Sequence, residues 1–150
     1  MPCVVVTLPP MFATTFHRPV RAALGVLFVL AACGGGEFAS SIEVSLTEFA
    51  FNDAAWMVSA GEEFELTLNN DGSAVHNWSM VVPGSEITRE GDLPEDPVER
   101  KGMYIFTDEV AAGASKTRRL IAPPPGTYQV ICDIQAHFSA GMSGILTVEG

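Results

Sequence analysis

Residues 126–148, GTYQVICDIQAHFSAGMSGILTV, decide the fold. Two stretches of strand composition, TYQVIC before and GILTVEG after, flank a short loop. Cys132, His137 and Met142 stand there at five-residue intervals, which puts a thiol, an imidazole and a thioether on one tight turn of chain. Alternation along 127–132 gives Tyr128, Val130 and Cys132 a common face. Singly, each residue has an ordinary reading: a small buried hydrophobe, a satisfied histidine, a core methionine. Their shared spacing points instead to chemistry.

Upstream the chain is short-patterned and rich in Val, Ile, Thr and Phe. IEVSLTEFAF (42–51) alternates as a half-buried strand, and EFELTLNN (63–70) sets Phe64, Leu66 and Leu68 on one face before the turn at Asn69–Gly72. AVHNWSMVV (74–82) stops at Pro83-Gly84. SKTRRLIA (115–122) reads as a further strand, and Pro123-Pro124-Pro125-Gly126 forces a stiff entry to the next. With no convincing amphipathic helix, strands at this spacing predict an all-β sandwich, and about 110 residues is enough for one such core. Residues 85–102 break the rhythm. They are dense in charge and carry two prolines, and read as a tolerated insertion or a partner-docking loop, with a short helix near Asp96–Arg100.

A second histidine, His76, lies in the 74–82 stretch, where His76, Trp78 and Met80 point one way and Asn77 and Ser79 the other. Met80 is about 13 Å along the strand from His76 and belongs to the core, while Met57 and Met103 have no placement beside the cysteine. Two imidazoles, a thiolate and a weak thioether are the donors of a trigonal copper site that carries single electrons. Cu(I) favours the sulfurs and Cu(II) the imidazoles, so a rigid mixture suits both states.

The spacing C-x4-H-x4-M, with Gly126 and Tyr128 before it and Gly141 and Gly144 around its end, resembles the cupredoxins, the type 1 blue copper proteins of the plastocyanin/azurin superfamily. The interval from His137 to Met142 is one residue longer than in azurin-like members and is similar to the auracyanin and rusticyanin type. The resemblance is sharpest over 126–148 and weaker over 74–82. It implies a Greek-key β-sandwich holding one copper on His76, Cys132, His137 and Met142. It also implies that Asn77 buttresses the ligand loop and that His137, flanked by Phe138, Ala140 and Gly141, forms the exposed edge of the site. The sequence departs from the common pattern at Asp133, where an acid beside the thiolate is expected to lower the potential or alter hydrogen bonding to sulfur. It departs again at Ala136, where proline or glycine is frequent.

The first fifth of the chain belongs to no such domain. HRPVRAALGVLFVLAAC (17–33) has a basic start and an apolar run too short to span a bilayer comfortably, and ends in Leu30-Ala31-Ala32-Cys33, which looks like a bacterial lipobox. The expected organisation is a lipoprotein signal over 1–33 with Cys33 lipidated, a Gly/Ser tether over 34–41 and the cupredoxin domain over 42–150. Ordinary signal cleavage or an uncleaved anchor are the alternatives. Without residues 1–32 the chain carries six basic and eighteen acidic side chains, a net −12, which argues against nucleic acid and against charge-driven binding to anionic lipid. Cys132 is then an unpaired thiol in an exported domain, and His76 and His137 are the remaining histidines, so metal ligation accounts for every one of them.

These readings converge on a monomeric one-electron carrier, lipid-anchored outside the cytoplasmic membrane. Its expected partners are redox proteins, a donor and an acceptor such as a basic cytochrome c or a membrane redox complex. A copper-binding or delivery protein without redox turnover is the alternative. An enzyme is disfavoured, because further catalytic copper centres would need more histidines and a two-copper centre a second cysteine in the loop.

Overall fold

The computed structural model describes residues 39–150. The lipoprotein signal, Cys33 and tether residues 34–38 lie outside the described residues. The last three residues assigned to the tether are part of the fold. Ala39 N–H donates to the Met57 carbonyl (3.1 Å), Glu65 N–H donates to that of Ser40 (3.0 Å), and Ser41 opens the first strand.

The described residues form β1 (Ser41–Thr47), β2 (Ala50–Phe51), β3 (Ala55–Ser59), β4 (Glu63–Asn70), β5 (His76–Val81), α1 (Pro97–Gly102), β6 (Tyr104–Val110), β7 (Ser115–Ile121), β8 (Gly126–Ile131) and β9 (Ser143–Glu149). They pair as a four-stranded sheet in the order β2-β1-β4-β7 and a five-stranded sheet in the order β3-β9-β8-β5-β6. β1 runs parallel to β4 and β3 parallel to β9, whereas the other pairs are antiparallel. The expected β-sandwich is present.

Alternation builds the core between the sheets. Val44 and Leu46 of β1 and Leu66 and Leu68 of β4 meet Val58 of β3, Trp78 and Met80 of β5, Val130 of β8 and Leu146 of β9. Trp78 packs edge-on against Trp56 with ring centroids 5.8 Å apart. Met80 is a core residue, as its distance from His76 along the strand implied.

Three features differ from the sequence reading. The stretch 42–51 is a hairpin, not one strand: Thr47 pairs with Ala50 across a two-residue turn, and Phe49 adopts φ 66°. The cause is a change of phase at Glu48, where a charge falls in the inward register and the apolar positions switch to Phe49 and Phe51. β3 and β6 are additional strands at the two edges of the larger sheet, where one unpaired side admits their exposed and charged residues. Finally, β5 is buried on both faces. Its outer face lies beneath residues 85–103, where Val81 joins Ile87, Leu93 and Ile131 in a second apolar cluster with Met103, Tyr104 and Phe138 packed against it. The 85–102 stretch is therefore an ordered cover. The expected short helix is α1, capped by the Asp96 carboxylate, which accepts from the N–H groups of Val98 (2.8 Å) and Glu99 (3.0 Å).

Gly144, just past the ligand loop, sits where no side chain fits: a Cβ there would be 2.8 Å from Trp56 Cζ3 and 2.9 Å from the Ala54 carbonyl oxygen. Overpacking of this kind costs about 1–3 kcal/mol. Gly144→Ala is expected to lower the denaturation midpoint of the copper-free protein accordingly. An unchanged midpoint would mean that the Trp56 ring yields freely.

Candidate metal centre

β5 and β8 run antiparallel with Ser79 opposite Ile131, so His76 and Cys132 emerge at the same end of the sheet. The loop from Cys132 to Met142 closes there by hydrogen bonds among its own ends. Cys132 N–H donates to the Met142 carbonyl (3.1 Å), and Met142 N–H donates to the His137 carbonyl (3.1 Å). All four predicted donors, His76, Cys132, His137 and Met142, are buried at this one end.

The Nδ1 atoms of both histidines face the sulfur. His137 Nδ1 lies 3.4 Å and His76 Nδ1 3.9 Å from Cys132 Sγ, and one donor atom from each of the three residues falls within 4.8 Å of the others. Donors ~2.0–2.3 Å from a shared ion in a trigonal plane are separated by roughly 3.5–4 Å, so these edges fit a transition-metal ion. Burial, followed by the neighbouring His137, holds the His76 imidazole below its ordinary pKa and therefore in the neutral, lone-pair-bearing form a metal needs. Its Nε2 is buried without a hydrogen-bond partner. Burial pushes the Cys132 thiol up, while the N–H groups of Asn77 and Ile134 oppose this by favouring the thiolate.

Asn77, expected from the sequence to buttress the ligand loop, reaches that loop three times. Its N–H donates to Cys132 Sγ (3.4 Å), its side-chain oxygen accepts from Asp133 N–H (2.9 Å), and its Nδ2 donates to Asp133 Oδ1. Asp133 also accepts from the Tyr104 hydroxyl (2.7 Å), whose pKa is driven upward by burial and then by that carboxylate. The acid beside the thiolate is thus buried and fully engaged.

His137 is not the exposed edge that the sequence reading expected. It is 7% exposed, and the Phe49 ring stands edge-on to it at 5.2 Å and 87°. Phe49 is itself 46% exposed and forms the surface over the imidazole. Glu48, its neighbour in the β1–β2 turn, accepts from the N–H and the hydroxyl of Ser73 (Oγ at 2.8 Å), and so ties this turn to the one preceding His76. The Ser73 N–H is the largest of the contacts that bring the Glu48 carboxyl down to about 2. Gly72 backs onto His76: a Cβ there would be 3.0 Å from Nε2. Phe49, Glu48 and Tyr104 escaped the sequence reading because each is far along the chain from the residue it touches, His137, Ser73 and Asp133 in turn, and no local pattern marks it.

Comparisons with known proteins agree with this geometry. Auracyanin-B of Chloroflexus aurantiacus is 30% identical over 88 residues, which cover 53% of this chain and 37% of that relative's length. Among solved structures, an auracyanin from the photosynthetic bacterium Roseiflexus castenholzii superposes with a TM-score of 0.63 at 26% identity, covering 76% of this chain and all of that one. Auracyanin A, a "blue" copper protein of Chloroflexus aurantiacus, gives 0.57 at 25% identity, covering 73% and 98%. Residues 38–149 match the family described as copper binding proteins, plastocyanin/azurin family, with the donor set at one end of its β-sandwich, and the chain belongs to that family of cupredoxins.

Proposed function

We propose that this protein is a one-electron carrier in which His76, Cys132, His137 and Met142 hold the copper, and that it works outside the cytoplasmic membrane on a lipid anchor at Cys33. The observation that carries this reading is the approach of two histidine Nδ1 atoms, 3.4 and 3.9 Å away, to one buried cysteine sulfur. Copper supplies the Cu(II)/Cu(I) couple. The chain supplies a donor set suited to both states and a scaffold that changes little between them. Asn77 orients the sulfur, the hydrogen bonds at Met142 close the loop, and the packed sheets exclude water. Electrons enter and leave where the site is thinnest, through His137 and the Phe49 ring against it.

Delivery of copper without turnover is the second reading. Burial of all four donors favours the carrier, because handing on an ion requires ligands a partner can reach. Catalysis is disfavoured: the two histidines and one cysteine of the described residues are all used in this single centre. The acidic surface suits a redox partner with a positive face, such as a basic cytochrome c.

The copper-loaded protein is expected to show an intense visible thiolate-to-Cu(II) band that Cys132→Ser abolishes and His76→Ala or His137→Ala disrupts. A colour that survives Cys132→Ser would sink the site assignment. If Met142 gives the copper a weak thioether donor, Met142→Gln should lower the reduction potential, since a harder oxygen favours Cu(II), and Met142→Leu should raise it. Identical potentials in voltammetry would remove Met142 from the donor set.

Electron transfer to a basic acceptor should slow as salt rises, because steering is screened over about 8–10 Å at ordinary ionic strength. Stopped-flow rates that stay flat or climb with salt would leave the acidic surface a role in solubility alone.

Cys33→Ser should release the protein from membranes, since stable anchoring depends on more than one acyl chain and a bacterial lipoprotein cysteine carries at least two. Equal membrane recovery of the wild type and the variant would point to an uncleaved apolar segment instead.

A further inference from the structure

We propose that Glu90 is a positioning residue for the metal centre, clasping the turn that carries His137 through two backbone N–H groups. The inference rests on the copper reading of the site and extends it to the 85–102 segment. Glu90 Oε1 accepts from Ala136 N–H (2.8 Å) and Oε2 from Ser139 N–H (3.2 Å), so one carboxylate brackets His137 from the residue before it and from the second residue after it.

The rest of the turn explains why those two groups need an external partner. The N–H groups of His137, Ala140, Gly141 and Met142 are taken by carbonyls within the loop, those of Ile134, Ala136, Phe138 and His137. Those of Ala136 and Ser139 are taken by Glu90. Ala136 holds φ 70°, a left-handed backbone that a residue with a Cβ adopts only when its surroundings impose it.

The clasp is anchored at its own base. Gln129 of β8 holds Ile87 from both sides, accepting from its N–H (2.8 Å) and donating to its carbonyl (2.8 Å). Asp92 accepts from the N–H (3.0 Å) and hydroxyl (2.7 Å) of Thr88 and from the N–H of Arg89 (3.1 Å). This fixes the 3-10 turn Glu90–Asp92 that presents the carboxylate. Ile87 and Leu93 are buried in the second cluster, against which Phe138 of the ligand loop packs. The segment thus connects β8, the strand leading into Cys132, to the backbone on both sides of His137. A ligand held this way moves less when the ion changes charge and is slower to swing off it.

The test uses the full chain with Glu90→Ala, Glu90→Gln and, as a control in the same segment, Glu99→Gln, an exposed position on α1. Amide hydrogen exchange of the copper-free protein reads the clasp directly. The N–H groups of Ala136 and Ser139 should be protected in the wild type and in Glu99→Gln, and should lose that protection in Glu90→Ala. In the copper-loaded proteins Glu90→Ala should keep its visible band but release copper to a chelator several-fold faster, and its electron self-exchange should slow several-fold. Glu90→Gln should fall between, because an amide accepts at its oxygen alone. A coloured Glu90→Ala with wild-type release and self-exchange overturns the proposal. So does a variant whose only change is a lower melting temperature, since that is support of the fold without positioning of the ligand. A wild type that takes up copper without the band overturns the copper reading itself, while the exchange experiment still reports whether the clasp exists.

Discussion

Asn77 is where the sandwich and the ligand loop are joined. Its backbone N–H points at Cys132 Sγ and its side-chain amide pairs with both the N–H and the carboxylate of Asp133. A buried sulfur and a buried carboxylate one residue apart would repel each other in an apolar interior, and burying either without partners is costly. Asn77 supplies donors to both, and Tyr104 supplies a third to Asp133. The end of the larger sheet can therefore hold a thiolate without filling the space around it with water.

That arrangement depends on covering the outer face of β5. An antiparallel sheet commonly leaves one face to solvent, and in such a sheet Asn77 and Asp133 would compete with water for each other. Residues 85–103 prevent this. They lay Ile87 and Leu93 over Val81 and Ile131 and bring Tyr104 to Asp133 at the start of the next strand. A stretch that resembles an insertion by composition acts in the structure as the wall of the site. Its charges face outward from α1, are consumed in local bonds such as Arg89 to Asp92 (2.9 Å), or, at Glu90, reach across to the 132–142 loop.

The opposite wall comes from the first hairpin. Phe49 lies over His137, and Glu48 ties the same turn to the one before His76, so both imidazoles are backed by residues from the beginning of the domain. A molecule that approaches the candidate site from this side meets an aromatic ring first, with the His137 imidazole behind it. Phe49 takes its place at the expense of a left-handed backbone, which the pairing of Thr47 with Ala50 imposes.

Fold class, family resemblance and the four candidate donors were legible in the order of residues, because these are local facts: alternation with a period of two, turn residues between strands, and three candidate metal-binding side chains on one eleven-residue stretch. The cupredoxin resemblance also singled out Asn77, directly after His76, and strand geometry set how far away Met80 lies. What surrounds the candidate donors emerges only in the folded chain. Phe49 on His137, Glu90 on Ala136 and Ser139, and Tyr104 on Asp133 join residues separated by 88, 46 or 49, and 29 positions, and leave no trace in any short window. The edge strands β3 and β6 escaped for a related reason. Their sequences answer to a single neighbour and to solvent, so polar residues are tolerated and the pattern fades. The candidate donors were written in the order of residues along the chain, and their surroundings in contacts that exist only after the two sheets have closed.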